Sequence, residues 1–349
     1  MDYPNTIKEL GLELTDRCQA SCPMCLRNYF GGSEREFIKN TEITLDNFKE
    51  WFPPVFLSNL NNMFACGNLG DPVIAKDCLA IFQYVRSINP NCRLAIHTNG
   101  SLRTPKWWKE LASALSPNGE VIFGIDGFKG QHELYRKGTN WDKIIENVRA
   151  FIEAGGIAKA DTIVFKHNEN SIYDLKDYLL EIGFAGVNII STERFYGQDH
   201  FPVNDLKGNH LYNLEPSTKP EWQKVFVKEH LVKLIEKTHY DTMIATTEIN
   251  PRCATNFSIY VDARGRAFPC PWAVDRADMN LPMHDDNLTI MRGRMLESTH
   301  SLMETIGIVD LHSTNIIDAL IENNWNEKLP QQWINNKPLM CVKNCGIKS

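Results

Sequence analysis

Six short apolar segments recur along residues 7–192: "IKELGLELT" (7–15), "MFACG" (63–67), "CRLAIHTNG" (92–100), "EVIFGIDG" (120–127), "ADTIVFKHN" (160–168) and "GVNIIST" (186–192). Each is closed by turn-type or polar residues, which reads as a strand. Between the fourth and fifth, "WDKIIENVRAFIEAGG" sets Trp141, Ile144, Ile145, Val148, Phe151 and Ile152 at helical spacing, with Gly155 as the stop. Strand and helix alternating in this way imply βαβ units, hence an α/β fold with a parallel sheet, curled into an open barrel or doubly wound. In either case function gathers at the carboxyl ends of the strands.

The chain has 349 residues, 43% hydrophobic and 23% charged, enough for one large α/β domain and a smaller one. Its 37 basic and 43 acidic side chains leave a net charge of -6, so no bulk positive field exists to hold nucleic acid or an anionic membrane. No run of 18 or more uncharged apolar residues is present, and the start, "MDYPNTIKELG", lacks the basic and apolar regions of an export signal. A cytoplasmic protein is expected. In a reducing compartment clustered thiols serve as metal ligands more often than as disulfides.

The ten cysteines fall into three sets. Cys66, Cys78 and Cys92 have no ligand spacing and read as buried apolar residues, with Cys66, at the end of the second strand, also a candidate hydrogen donor. Cys18, Cys22 and Cys25 follow the first strand directly, in "LTDRCQASCPMCLRNYF" (14–30). Three thiolates this close could be structural, could bind zinc with a fourth ligand from elsewhere, or could hold three corners of an iron–sulfur cubane and leave one iron open. Cys253, Cys270, Cys341 and Cys345 form the third set; a zinc ribbon is the plain reading of that pattern.

The C-x3-C-x2-C signature after the first strand resembles that of the radical S-adenosylmethionine (radical SAM) enzymes. "GNLGDP" (67–72) is similar to the family's glycine-rich segment that takes the SAM amino group, and "HTNGSL" (97–102) to its third-strand end. "GIDGFKGQHELYRKGTNWDKIIENVRAFIEAG" resembles the stretch where an aspartate–glycine follows the fourth strand and an arginine, here Arg136, meets the SAM carboxylate. "CATNFSIYVDARGRAFPC" is similar to the opening of the SPASM or twitch auxiliary-cluster domain.

The resemblance implies a partial (β/α)6 TIM-type barrel over 1–192, a connecting, substrate-side segment with a helix over 193–250, and a small α+β twitch-type domain over 251–349. It implies a [4Fe–4S] cluster on Cys18, Cys22 and Cys25, with SAM on the open iron. Met24, Leu69, Gly70, Asp71, Pro72, Asn99, Asp126, Arg136 and Lys166 are the implied SAM-side residues. A second, auxiliary [4Fe–4S] cluster would use Cys253, Cys270, Cys341 and Cys345. Three departures stand out: Met24 where relatives place an aromatic residue, Asp71 in place of glutamate, and Gly124 where many carry a ribose-holding serine. Asp126 or Lys166 is then the candidate ribose partner.

The implied activity is reductive cleavage of SAM to a 5′-deoxyadenosyl radical that removes a hydrogen atom from a substrate. A residue of a ribosomally made peptide is the first expectation. The alternatives are a small-molecule dehydrogenase or a nucleotide or cofactor-precursor cyclase, and last a non-catalytic electron carrier. An electron donor such as flavodoxin or ferredoxin would be the redox partner.

Overall fold

The computed structural model describes residues 3–192, 194, 195, 198–223, 237–256, 258–274, 297–335 and 337–347. The chain divides into two compact units, one taking the described residues of 12–45 and 62–225, the other those of 1–11, 46–61 and 226–349.

All six expected strands are present: β1 (Glu9–Leu12), β2 (Asn62–Ala65), β3 (Arg93–Thr98), β4 (Glu120–Gly124), β5 (Ile157–Val164) and β6 (Gly186–Ser191). In the first unit β2 to β6 lie side by side in sequence order, every neighbouring pair parallel. Helices α1 (Cys78–Ile88), α2 (Pro105–Leu115), α3 (Trp141–Glu153) and α4 (Ile172–Glu181) make the crossovers. This is the mixed α/β architecture with a large parallel sheet that the alternation calls for.

Local chemistry fixes the helix ends. The Thr104 and Asn140 side chains accept the Trp107 and Lys143 amides at the starts of α2 and α3, caps worth about 1 kcal/mol each. Gly155, at φ +85°, follows α3 where only glycine turns without strain. One face of the sheet is apolar, with Leu94, Ile96, Val121, Phe123, Ala158 and Ala160 buried. The strand register sets His97, Lys159, Asp161 and Asn188 on the other face, which carries polar side chains partly open to water. Cys78 and Cys92 are fully buried, as expected.

Residues 201–214 correct the expectation of a loop. They form a hairpin of β7 (Phe201–Asn204) and β8 (His210–Leu214). The Asp205 side chain accepts the Lys207 and Asn209 amides in the turn, and Gly208 sits at φ +85°. Phe201, Val203 and Leu214 join a cluster with Met24, Tyr135, Phe165 and Phe195. Of the helix expected over 222–240, residues 224–236 lie outside the described residues; Lys237–Thr246 are helical.

In the second unit β9 (Ser258–Val261) and β10 (Arg266–Phe268) pair antiparallel, and β11 (Val309–Asp310) extends them. The Asp262 carboxylate closes the turn by accepting from the Arg264 and Arg266 amides. Among the described residues no helix is long and apolar enough to cross a membrane.

Candidate functional site

The loop after β1 carries Cys18, Cys22 and Cys25, and its path is set by glycines elsewhere. A Cβ on Gly70 would meet Thr15 O at 1.8 Å, and one on Gly67 would meet Gly70 O at 2.0 Å. "GNLGDP" therefore packs backbone against backbone on the cysteine loop, a fit that any side chain there would break. The buried Glu13 carboxylate accepts the Leu69 and Gly70 amides at 2.6 and 3.2 Å, and the Asp71 amide donates to Arg17 O at 2.9 Å. Pro72 starts a short 3-10 turn, Pro72–Ile74, which Asp71 caps through the Val73 amide at 3.2 Å.

Asp71 itself is buried and faces inward. Its carboxylate accepts Thr98 Oγ1 at 2.8 Å, the Asn99 amide at 2.8 Å and Asn99 Nδ2. Burial pushes its pKa above the ordinary carboxylate range, against these hydrogen bonds. Asn99 in turn donates from Nδ2 to Cys18 Sγ at 3.8 Å. What Asp71 offers a ligand is the placement of Asn99.

Asp126, at the end of β4, is fully buried and doubly engaged. Arg136 Nε donates to Oδ2 at 2.5 Å, and the Ile163 amide of β5 to Oδ1 at 2.5 Å. The Arg136 guanidinium also donates to Cys22. Burial disfavours its charge, but Asp126 and Cys22 outweigh that and raise its pKa. A Cβ on Gly124 would stand 2.6 Å from Arg136 Nη2, so the absent serine leaves the space the guanidinium fills. Lys166 lies apart, half-exposed and ion-paired with Glu215. Met24 is 6% exposed and packs in the aromatic cluster.

The three thiols share one electrostatic neighbourhood. Burial, then the Asp71 charge, then Cys22 and Cys25 raise the Cys18 pKa well above its ordinary value. Burial pushes Cys22 up to about 11, with Arg136 opposing. Cys66, whose amide donates to Leu12 O at 3.0 Å, is pushed up to about 11 by burial and then by Glu13, so its thiol keeps its proton at neutral pH.

In the second unit, Cys253 lies in the helical turn Arg252–Thr255, Cys270 just beyond β10, and Cys341 and Cys345 one turn apart on the helix Leu339–Cys345. The Asn250 amide donates to Cys345 O at 2.8 Å, drawing the tail to the Cys253 segment. Burial pushes Cys253 up to about 12, followed by the charges of Cys270 and Cys345. Burial also pushes Cys270 up to about 11 and raises Cys341. Among the described residues no group of three or more His, Cys, Asp or Glu closes on a point that would hold a single metal ion. Both cysteine sets are gathered, but around a volume larger than one ion.

Sequence reasoning missed Glu13, Thr98, Gln19 and the polar face of His97, Asp161 and Asn188. The period of two in "IAKADTIV", small and apolar against polar, is the signal that finds the last of these.

Residues 12–179 match the Radical SAM superfamily. That segment of the chain belongs to it. It holds the trio, "GNLGDP", Asn99, Asp126 and Arg136. The tungsten-containing aldehyde ferredoxin oxidoreductase cofactor-modifying protein of Pyrococcus furiosus is 25% identical over 185 residues, 51% of this chain; the chain spans about half (49%) of that relative's length. A GTP 3',8-cyclase of Aquifex aeolicus is 22% identical over 303 residues, 80% of this chain and 87% of the cyclase. Crystals of anSMEcpe with bound AdoMet share the fold at TM-score 0.54 and 16% identity, covering 97% of this chain and 85% of that one. The same protein with AdoMet and the Kp18Cys peptide gives 0.50 at 17% identity over 83% of each.

Proposed function

We propose that the chain is a radical SAM enzyme that modifies a residue of a peptide. Cys18, Cys22 and Cys25 hold a [4Fe–4S] cluster, and Cys253, Cys270, Cys341 and Cys345 a second. The observation that carries this reading is convergence: from the ends of β3 and β4, Asn99 and Arg136 each donate to a sulfur of the trio, and each is backed by a buried aspartate. Hydrogen bonds from fixed donors to cluster sulfurs are the protein's means of holding and tuning such a group. The thiols' spread also supports a cluster over zinc, which needs its sulfurs about 2.3 Å from one point.

When bound, the cluster and SAM supply a 5′-deoxyadenosyl radical. The chain's own share is placement. Arg136 presents a cation fixed by Asp126, suited to a carboxylate; Gly67 and Gly70 let the backbone approach closely; Met24 and its aromatic neighbours keep water from one side of the trio. Fold likeness to a peptide-bound protein supports the peptide as substrate. The cyclase relative, which spans most of both chains, supports a nucleotide as the second reading.

The test is anaerobic reconstitution, reduction and chromatography with SAM present. Wild type is expected to form 5′-deoxyadenosine, and Cys22→Ala to form none; wild-type rates in that variant remove the trio from the reaction. Adding GTP separates the readings: a new nucleotide product coupled to 5′-deoxyadenosine replaces the peptide with the nucleotide.

A further inference from the structure

The orientation of the Asn99 amide is fixed by partners whose roles cannot be exchanged. The Ser101 backbone N–H donates to Oδ1 at 3.0 Å, so that atom is the oxygen; the Asp71 carboxylate accepts from the other, so that atom is the nitrogen. Gln19 Nε2 adds a second donor to Oδ1 at 2.6 Å. The remaining Nδ2 hydrogen is left to Cys18 Sγ, 3.8 Å away. Behind it Asp71 is only 4% exposed and is tied to β3 through Thr98 and the Asn99 backbone.

Resting on the reading that Cys18 ligates a cluster, we infer that Asn99 and Asp71 are positioning residues that set its reduction potential in opposite directions. Electron density on a ligating sulfur grows on reduction, so an N–H aimed at it favours the reduced state. A buried carboxylate behind that amide polarises the N–H toward sulfur, yet its own negative charge, poorly screened at this depth, favours the oxidised state. Removing the amide therefore makes reduction harder. Removing the charge makes it easier. The pair holds the potential between two limits, and neither residue need touch SAM to do so.

The experiment is an EPR-monitored redox titration of the anaerobically reconstituted full-length protein, following the signal that changes when AdoMet is added. Asn99→Ala is expected to lower the reduced-to-oxidised ratio at a fixed potential about tenfold, roughly 59 mV for a one-electron couple. Asp71→Asn is expected to raise the midpoint. Asn147→Ala, which loosens the same loop from behind without touching Asp71 or Cys18, should leave it unmoved. A structural role alone would shift both variants in one direction or neither, and either result overturns the inference. Should Asn99→Ala retain no iron, Asp71→Asn carries the test by its sign: a midpoint unchanged or lowered overturns it, and so does loss of iron from both variants with the fold kept. A wild type without any AdoMet-responsive signal would instead sink the reading on which this rests.

Discussion

Gly124 is where a side chain's absence does the most. Relatives' serine at this point suggested a lost ribose contact; in the structure the volume belongs to the Arg136 guanidinium, held by Asp126 and Cys22. Gly124→Ser should therefore displace the guanidinium rather than restore a contact, at about 1–3 kcal/mol of overpacking. Chemical denaturation checks the cost, and SAM binding is expected to weaken with it. His132 is fully buried, and its Nδ1 accepts the Asp126 amide at 3.1 Å. Burial, then the Arg136 charge, push its pKa from 6.5 down to about 3. The folded state thus refuses a proton that the unfolded state takes, so this contribution is whole above about pH 6.5 and is lost as pH falls toward 3. His132→Asn, which offers an acceptor in place of Nδ1 and cannot titrate, should show a flatter acid limb, by up to about 1.4 kcal/mol per pH unit. Parallel denaturation curves of the two proteins at pH 7 and 4.5 decide it.

At the scale of elements, the strand ends are tied together by side chains from the helices that follow. Asn147 of α3 is buried and donates from Nδ2 to Gly100 O and Leu102 O, each at 2.9 Å. Those carbonyls bracket the loop that presents Asn99. Asn147→Ala leaves two buried carbonyls without their donor and should cost about 2–3 kcal/mol in thermal or chemical denaturation. The strands and α3 were legible in sequence because their periods of two and 3.6 residues are set by which face is buried. The trio was legible because its ligands are close in the chain. What stayed hidden depends on long-range pairing: Asp71 on Asn99, Arg136 in the space of Gly124, and the hairpin that covers Met24. Asp71 and Lys166 were expected near SAM by alignment to motifs; the structure turns one inward and pairs the other with Glu215.

For the whole molecule, each compact unit carries one complete cysteine set, which makes a division of labour testable. Reconstituted protein should hold close to eight irons per chain; about four irons with one zinc would refute the second cluster. Four thiolates leave no open iron, so double replacement of Cys341 and Cys345 by Ala should spare 5′-deoxyadenosine formation while product is lost. Equal loss of both in a folded variant would join the two functions.

The spacing of that second set also orders its assembly in time. Cys253 and Cys270 leave the ribosome first, and Cys341 follows about 70 positions later. At about 5–20 residues per second the gap lasts roughly 4–14 s. For that interval two thiols stand without the helix that completes their set, while the trio of the first unit has long since emerged. Loading of the second site is thus a post-translational event, and the nascent chain is most open to oxidation or to a wrong metal in those seconds.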